Sequence, residues 1–266
     1  MLDFNPAMGY GETGGKVMIA QERYKKILEY LDTEGTVTVA QLTALLGASE
    51  ATIRRDLGVL AKDGKLNKVF GGATSVRRMG LEEESVSRRE TIKFEEKDAI
   101  GRYAASLIRD EDFVFIDSGT TTACMIPYLT NTKATYVTNG VLHAYRLLQA
   151  GLNVHLIGGK LRPSTEAAVG AEGLRGISNF NFTKAFMGTN GITVGEGFTT
   201  PDVEEAAMKG GAIGRSFISF VLADHTKFNR AFSVTFAPLS ACCILTDRMP
   251  KDKKYSESTI IKEVSR

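Results

Sequence analysis

The sequence has few cysteines and no hydrophobic run long enough to cross a membrane. No stretch approaches the ~18 consecutive apolar residues of a spanning helix, and the first residues lack the basic-then-apolar pattern of a secretory signal. Only Cys124, Cys242 and Cys243 occur, without the spacing of a metal site. These absences predict a cytoplasmic protein with reduced thiols, no membrane partner, no metal and no cofactor, in which Cys242 and Cys243 belong to an apolar core.

The chain also lacks a large net charge, which is only +2 over 266 residues. Charge is instead unevenly distributed, because residues 18–78 carry a net +3 and residues 79–98 a net −3. A basic segment followed by an acidic connector is compatible with a DNA-binding module on a linker. The length suits two domains of roughly 100–200 residues each.

The first seventeen residues show no hydrophobic periodicity and contain four glycines and one proline. We interpret residues 1–17 as a disordered leader. Codons for residues 14–17 can be purine-rich and resemble a ribosome-binding site, so we hypothesise that translation starts at Met18. Mass spectrometry of the native protein tests this hypothesis, and an intact Met1 terminus would reject it.

Residues 18–78 are predicted to form a winged helix-turn-helix domain. Apolar residues at helical spacing indicate helices over residues 20–32 and 39–46, joined through a short β-branched stretch. Ser49 is a good N-cap for a third helix, whose residues Ile53, Leu57 and Leu60 share one face. Gly64 is expected to close this helix. Residues 65–70 then read as one side of a β-wing, ended by Gly71 and Gly72.

Two helices joined by a tight turn, the second one basic near its start, have the geometry that places side chains in a DNA major groove. A solvated basic face without DNA is the alternative, and the capped helix followed by a wing argues against it. Of the candidate contacts, some suit base edges and others suit phosphates. Thr52 and Arg55 are expected at base edges, and Ser49, Arg54, Lys65 and Lys68 at phosphates.

The segment ASEATIRRDLGVLAKDGKLNKVFGGA resembles the N-terminal signature of the DeoR family of sugar-metabolism repressors. The resemblance covers residues 20–74. The wing departs from the family pattern, which often has Arg-Val-His-Gly-Gly where this chain has Lys68-Val69-Phe70-Gly71-Gly72. Because the two glycines and a cation remain, the departure affects the expected phosphate contacts of the wing and not the identification of the DNA-binding domain.

A charged linker is predicted over residues 79–97, leading into a helix whose apolar face is formed by Ile100, Ala104 and Leu107. From residue 98 to residue 250, short apolar runs alternate with helical stretches. This alternation predicts an α/β domain with a mostly parallel sheet flanked by helices. Residues 251–266 are expected to form a C-terminal tail.

Small polar residues follow the predicted strands, where ligands bind in open parallel sheets. Asp117 and Ser118 lead through Gly119 and three threonines into a helix, a sequence that suits phosphate binding by hydroxyls and backbone N–H groups. Strand-to-helix turns use the same residue types without any ligand, but five such loops favour a real site. The loops together suit a phosphorylated polyol.

The C-terminal half also resembles the DeoR family, through the motifs DSGTTT, VTNG, LIGGKLRP, FTKAFMGTNGI, GFTTPDVEEA and LADHTKF. The resemblance implies a fold like that of ribose-5-phosphate isomerase and an effector that is a phosphorylated sugar. TNG, GTNGI and GFTTPD are most similar to the repressors of fructose operons, whose effector is fructose 1-phosphate. The resemblance places the phosphate at Ser118, Gly119, Thr120, Thr121 and Thr122, and further contacts at Asp117, Asn139, Lys160, Asn190, Asp202, Glu205 and Lys227.

Two other functions remain open. A sugar-phosphate isomerase fused to a DNA-binding module needs a carboxylate base, whereas the isomerases' Gly-Ala-Asp-Glu-type strand end is replaced here by residues 188–191, Gly-Thr-Asn-Gly. A C-terminal domain that only oligomerises is disfavoured by the glycine-threonine loops. We therefore expect a non-enzymatic repressor that binds operator DNA as a homodimer or homotetramer. His143 and His155 are interpreted as structural, whereas His225 and Glu204 are ambiguous.

Overall fold

The computed structural model describes residues 19–75, 79–80, 86–129, 133–250 and 252–264. The predicted leader and the hypothesis of a start at Met18 lie outside these residues. The chain divides into two compact units with the boundary between residues 76 and 77, and residues 32–34 are grouped with the second unit. Among the described residues, no helix combines the length and apolar character needed to cross a membrane.

The N-terminal unit contains three helices and a three-stranded antiparallel sheet of order β1-β3-β2. The elements are α1 (Ala20–Glu34), β1 (Thr36–Thr38), α2 (Val39–Leu46), α3 (Glu50–Lys62), β2 (Leu66–Val69) and β3 (Gly72–Ser75).

The helix boundaries of this unit follow from local chemistry. The N–H of Gly35, at φ 71°, donates to the carbonyl of Leu31 and ends α1. Thr38 and Gln41 form a reciprocal capping box at the start of α2. The Ser49 hydroxyl accepts from the Thr52 N–H at 3.3 Å, which confirms Ser49 as the N-cap of α3.

The wing differs from the prediction in its second half. Gly71 forms the turn, but Gly72 begins the returning strand β3 rather than ending the wing. Gly72 pairs with Thr38 and lies so close to the Val37 carbonyl that a Cβ atom would collide with it. A glycine is therefore required where β3 passes β1. The apolar core beneath the wing consists of fully buried side chains, among them Ile27, Leu31, Leu42, Ile53, Leu57 and Leu60.

The C-terminal unit is built on a seven-stranded sheet in which all neighbouring strands are parallel. This confirms the predicted α/β class. The helices are α4 (Val86–Thr91), α5 (Phe94–Ser106), α6 (Thr120–Ala123), α7 (Val141–Gln149), α8 (Ala171–Ser178), α9 (Val203–Gly214) and α10 (Lys253–Ser258).

Among the described residues of this unit, seven strands form the large sheet and the others form three smaller, separate sheets. The large sheet contains β5 (Phe113–Ile116), β6 (Thr135–Thr138), β7 (Asn153–Leu156), β10 (Phe182–Gly188), β13 (Ser216–Leu222), β16 (Cys243–Thr246) and β17 (Ile261–Glu263). The short strands are β4 (Met79–Gly80), β8 (Lys160–Arg162), β9 (Ala167–Val169), β11 (Gly191–Thr193), β12 (Gly197–Thr200), β14 (Ala231–Phe232) and β15 (Val234–Ala237).

The strand order is β17-β16-β13-β10-β5-β6-β7, so the chain winds outwards in both directions from the pair β5 and β10. Adjacent residues of β5 belong to different apolar clusters: Phe115 packs with Met187 in one, and Val114 packs with Phe186 in the other. Both faces of the sheet are therefore covered, as parallel sheets require. The crevice between β5 and β10 is the point where such sheets bind ligands.

Two segments at the ends of this unit are more ordered than the sequence predicts. The second half of the predicted linker forms α4 and the start of α5, and Lys97 is buried there. The predicted tail contributes α10 and the edge strand β17, which pairs in parallel with β16. Tyr255 and Val264 are buried, so this segment belongs to the sheet and its core rather than to a tail.

Candidate functional site

A polar pocket lies at the carboxyl ends of β5 and β10. The loop after β5 passes through Ser118 and Gly119 into α6, and the loop after β10 passes through Thr189 and Asn190. The pocket is lined by Arg89, Lys97, Asp117, Ser118, Gly119, Thr120, Thr121, Thr165, Gly188, Thr189, Asn190, Glu205, Lys209 and Lys227. Hydroxyls, amides, carboxylates and cations thus converge where the sheet topology favours a ligand.

An ion pair between Asp117 and Lys209 forms the floor of this pocket. Both side chains are buried, and the same Asp117 oxygen accepts a hydrogen bond from the Gly188 N–H at 3.0 Å. Lys209 lies on α9, so one carboxylate ties the ends of β5 and β10 to that helix. The bonds compensate the cost of burying both charges.

The loop before α6 is held from behind by Thr122 and His143. The Thr122 hydroxyl lies 2.5 Å from the Asp117 carbonyl and 2.7 Å from the Gly119 carbonyl. His143 Nε2 lies 3.1 Å from the Gly119 carbonyl, to which a neutral ring donates. Burial lowers the pKa of His143 to about 4, so the ring is neutral near pH 7. These contacts fix the loop without facing the pocket.

Two lysines, Lys97 and Lys227, lie beside the loop. Lys97 donates to the backbone carbonyl of Arg89 and, at 3.1 Å, to the Thr120 hydroxyl. Burial, and then the charge of Lys227, lower the pKa of Lys97. Burial raises the pKa of Asp224, but Lys227 and hydrogen bonds from Thr226 outweigh this and hold it below its usual value. Because the charge of Lys227 affects both Lys97 and Asp224, the two ammonium groups lie close together beside the pocket loop.

The pocket brings together eight of the twelve predicted effector residues, namely Asp117, Ser118, Gly119, Thr120, Thr121, Asn190, Glu205 and Lys227. Asn190 and Glu205 are connected through Thr200, whose hydroxyl lies 3.0 Å from Asn190 Oδ1 and 3.5 Å from Glu205 Oε2. Glu205 Oε1 is buried, lies 3.6 Å from Arg162 Nε and forms no hydrogen bond to the residues that the structure describes. That oxygen can still accept a hydrogen bond from a ligand hydroxyl.

The other four predicted residues do not line the pocket. Thr122 supports the loop, and Asn139 is buried with its amide donating to the Ala168 carbonyl. Lys160 is exposed and pairs with Glu204 at 3.0 Å. Asp202 caps α9 and pairs with Arg162. These four residues lie near strand ends in the sequence, but that position did not show that their side chains are directed away from the pocket. Helix caps and ion pairs use the same residue types.

Six pocket residues were not predicted from the sequence: Arg89, Lys97, Thr165, Gly188, Thr189 and Lys209. Two of these residues, Lys97 and Lys209, could have been predicted from their positions on helices. Lys97 shares the helical face of Ile100 and Ala104, and Lys209 follows Glu205 by one turn on the buried face of α9. A lysine on an apolar helix face needs a buried anionic partner or ligand.

The other histidines and the cysteines do not line the pocket. Cys242 lies in the apolar core as predicted, whereas Cys243 is only half-buried. His225 pairs with Asp247 at 2.6 Å, so its side chain is committed away from a ligand. Burial raises the pKa of Cys124 to about 11 and that of Cys242 to about 12, which keeps both thiols protonated near pH 7. Within the described residues, no group of three or more His, Cys, Asp and Glu side chains is arranged to hold a metal ion.

A second candidate surface lies on α3 and the wing. Ser49 and Thr52 hydroxyls lie 2.9 Å apart at the helix start, and the exposed Arg54 pairs with Glu50 at 3.2 Å. Arg55 is exposed on the next position, whereas Asp56 is buried. On the wing side, Lys65 lies 3.8 Å from Asp63, and Lys68 is exposed. The six predicted DNA contacts therefore belong to the start of α3 and to the wing, and none is in the apolar core.

Family models account for both units. A DeoR-like helix-turn-helix domain matches residues 23–79, and a DeoR C terminal sensor domain matches residues 92–248. The chain belongs to the DeoR family. It is a DNA-binding transcriptional repressor of that family, with its sensor domain formed by the C-terminal unit.

Curated relatives match over nearly their whole length. The chain is 36% identical to an uncharacterized HTH-type transcriptional regulator FruR of Bacillus subtilis, covering 93% of this chain and 99% of that protein. It is 33% identical to the HTH-type transcriptional regulator IolR of Bacillus subtilis, covering 88% and 94%. It is 31% identical to the lactose phosphotransferase system repressor of Staphylococcus aureus, covering 93% and 100%.

Among solved structures, ribose 5-phosphate isomerase A from Methanocaldococcus jannaschii matches with a TM-score of 0.38 and 13% identity. The match covers 50% of this chain and 53% of the isomerase.

Proposed function

We propose that this DeoR-family protein represses a fructose-utilisation operon in the bacterial cytoplasm and that fructose 1-phosphate relieves the repression. The observation that carries the proposal is the charge of the pocket, in which four cations accompany two carboxylates. Arg89, Lys97, Lys209 and Lys227 face Asp117 and Glu205, and Asp117 already neutralises Lys209. Cationic side chains in this number are typical of a pocket that binds a dianionic phosphate.

The phosphate is proposed to lie at the loop from Ser118 to Thr121. This loop supplies hydroxyls and the N–H groups that lack partners within the first turn of a helix. Lys97 and Lys227 stand beside it. The sugar is then directed towards Asn190 and Glu205, whose amide and carboxylate groups suit hydroxyls. A ligand with a phosphate at one end and hydroxyls along its length fits this division.

Binding without turnover is the expected outcome in this pocket. The loop after β10 presents Thr189 and Asn190 where the isomerases carry acids. Of the two pocket carboxylates, Asp117 is held by Lys209 and the Gly188 N–H, and Glu205 lies 3.6 Å from Arg162 Nε. A proton-transfer catalyst needs a carboxylate that can exchange its proton with the substrate carbon. The groups present support recognition of the sugar more than isomerisation of it.

We infer that Lys97 couples the pocket to the DNA-binding function. Its ammonium group holds the carbonyl of Arg89 at the end of α4 and also the Thr120 hydroxyl in the loop. An arriving phosphate competes for the same donor. If the contact with α4 differs between the DNA-competent and DNA-incompetent states, the effector shifts the equilibrium between them.

We further propose that the protein binds DNA as a homodimer or homotetramer. One helix-turn-helix reads a short half-site, and two-fold operators are matched by two-fold assemblies. Sedimentation of the full chain alone and on a duplex would give the assembly size. A monomer on DNA at every protein concentration would contradict the proposal.

The inducer is tested by gel shift at fixed salt, with a duplex that the full chain selects from a randomised library. Fructose 1-phosphate is expected to weaken binding by about 10-fold or more at saturation, within the usual range of allosteric coupling. Fructose and inorganic phosphate serve as ligand controls. Unchanged DNA affinity with fructose 1-phosphate would remove the inducer assignment, and chemical turnover of it would favour the isomerase function.

A pair of variants locates the site in the same assay. Lys227→Met is expected to abolish the response to fructose 1-phosphate, because it removes a cation of the pocket. Lys160→Met removes an exposed lysine outside the pocket and is expected to respond as the unmodified protein does. Equal responses from the two variants would place the effector elsewhere.

A further inference from the structure

One apolar side chain projects from the wing with no contact to the rest of its unit. Phe70 has a relative exposure of 108%, and no large hydrophobic residue among those the structure describes is more exposed. It lies at the tip of the β2–β3 hairpin, beside Gly71 with a φ of 79°. A fully exposed phenyl ring adds nothing to the core and is unfavourable in water.

The surroundings of Phe70 indicate what it meets. The exposed residues of β2 are Asn67, Lys68 and Val69, the last 46% exposed, and Lys65 precedes the strand. One phenyl ring and one half-exposed valine beside two lysines form too small an apolar area for docking a protein. An apolar side chain among cations does match duplex DNA, which is a polyanion with apolar stacked bases inside.

The arm that carries Phe70 is braced. β2 pairs with β3 along its length, from Leu66 opposite Ser75 to Val69 opposite Gly72, and β3 pairs in turn with β1. Leu66 is buried, and the Lys65 N–H donates to the Leu60 carbonyl in α3 at 2.8 Å. The backbone of the hairpin that carries Phe70 is therefore held in place relative to α3.

We propose that Phe70 is a DNA wedge: it enters the minor groove beside the major groove occupied by α3 and partly unstacks one base step. The inference rests on the proposed DNA-binding role of α3. Major and minor grooves adjoin across a single sugar-phosphate strand, so a hairpin that leaves the end of α3 reaches the neighbouring groove. Apolar side chains inserted in this way kink the duplex towards the major groove.

A wedge gives this protein a means of selecting sequence without hydrogen bonds to bases. Pyrimidine–purine steps unstack at lower free-energy cost than other steps. The step under Phe70 is therefore expected to be TA or CA in selected operators, at a position that α3 does not contact.

The test uses the full chain and a duplex that the unmodified protein selects from a randomised library. Phe70→Ala is expected to lower affinity on the order of 10-fold, the usual effect of losing an aromatic contact with a base. It is also expected to reduce the bend measured by energy transfer between the duplex ends, while the salt dependence stays unchanged because no phosphate contact is lost. Phe70→Leu keeps an apolar wedge and is expected to retain most of the bend.

Ile19→Ala is the matched control, since Ile19 is also an exposed apolar residue of this unit, at 66%, but lies before α1. It is expected to bind and bend as the unmodified protein does. Equal affinity and bend for Phe70→Ala and the unmodified protein would overturn the wedge, as would a change of oligomeric state alone. Failure of the unmodified protein to select any duplex would instead overturn the proposed DNA-binding role itself.

Discussion

At the scale of single residues, the pocket depends on charges that are buried in pairs. Asp117 and Lys209 are 2% and 6% exposed, and they form an ion pair with each other. Removing one partner leaves the other as an uncompensated buried charge, which costs more than the pair contributes. The stability of the C-terminal unit and the shape of its pocket are therefore linked through this ion pair.

Lys209→Met is expected to lower the free energy of unfolding by about 3–5 kcal/mol, because Asp117 is left buried without its cation. Urea unfolding followed by circular dichroism measures the change. Adding Asp117→Asn in the same chain removes the stranded charge and is expected to restore part of the stability. Lys160→Met, which breaks an exposed pair, is the control and should cost no more than ~0.5 kcal/mol.

The buried His143 predicts a specific loss of stability in acid. Its pKa is about 4 in the folded chain against 6.5 for an ordinary histidine, so the unfolded chain binds a proton first as the pH falls. The stabilising contribution is complete above pH 6.5 and is lost as the pH falls towards 4, amounting to at most about 3 kcal/mol. His143→Gln is expected to flatten the thermal-melting profile between these pH values, whereas His155→Gln, at an exposed position, should not.

At the scale of elements, α3 is fixed to α1 by a buried ion pair as well as by apolar packing. Arg23 Nε lies 2.8 Å from Asp56 Oδ2, and a second bond of 3.3 Å reaches Oδ1. The hydrogen bond to Asp56 raises the pKa of Arg23. The position of the DNA-binding helix is therefore set by a bidentate contact on the face opposite the exposed Arg54 and Arg55.

Asp56→Ala is expected to destabilise the N-terminal unit by about 1–3 kcal/mol, since it removes the bidentate hydrogen bonds of the half-buried Arg23. Arg54→Ala breaks only an exposed pair with Glu50, and about 0.5 kcal/mol is expected. Hydrogen exchange of the α1 and α3 amides distinguishes the two. Similar protection in both variants would show that apolar packing alone positions α3.

Most helices and the central strands were predictable because each carries a local signal. Ser49 caps α3 through its own side chain, and β5 and β13 are short β-rich runs between turns. The strand-end loops were predicted to converge, and eight of the residues named on them share the pocket.

The missed features depend on contacts distant in sequence. Asp117 and Lys209 are 92 residues apart, and the edge strand β17 is recognisable only through its pairing with β16. Lys97 was assigned to a linker because its charge hid its position on a buried face. Local periodicity shows which side of a helix is apolar, but not which loop packs against that side.

At the scale of the whole molecule, DNA recognition divides into base contacts and phosphate contacts. Arg55 is expected to contact a base edge and Lys68 a phosphate. Arg55→Ala should therefore relax the preferred operator sequence, with a loss of about 1–3 kcal/mol at one position. Lys68→Ala should weaken binding to all duplexes and reduce the slope of affinity against salt by about one. Gel shifts on matched and scrambled duplexes at several salt concentrations distinguish these effects, and the reverse pattern would exchange the two roles.

The contact of Lys97 with both α4 and the pocket loop has a consequence for any variant selected for tight effector binding. The measured dissociation constant contains the free energy of taking the ammonium group away from a peptide carbonyl. Substitutions that loosen α4 lower that cost and therefore raise the affinity for the effector. They also reduce the free-energy difference between the DNA-competent and DNA-incompetent states on which the effector acts. Sensitivity and amplitude of induction should accordingly oppose each other along a series of α4 variants.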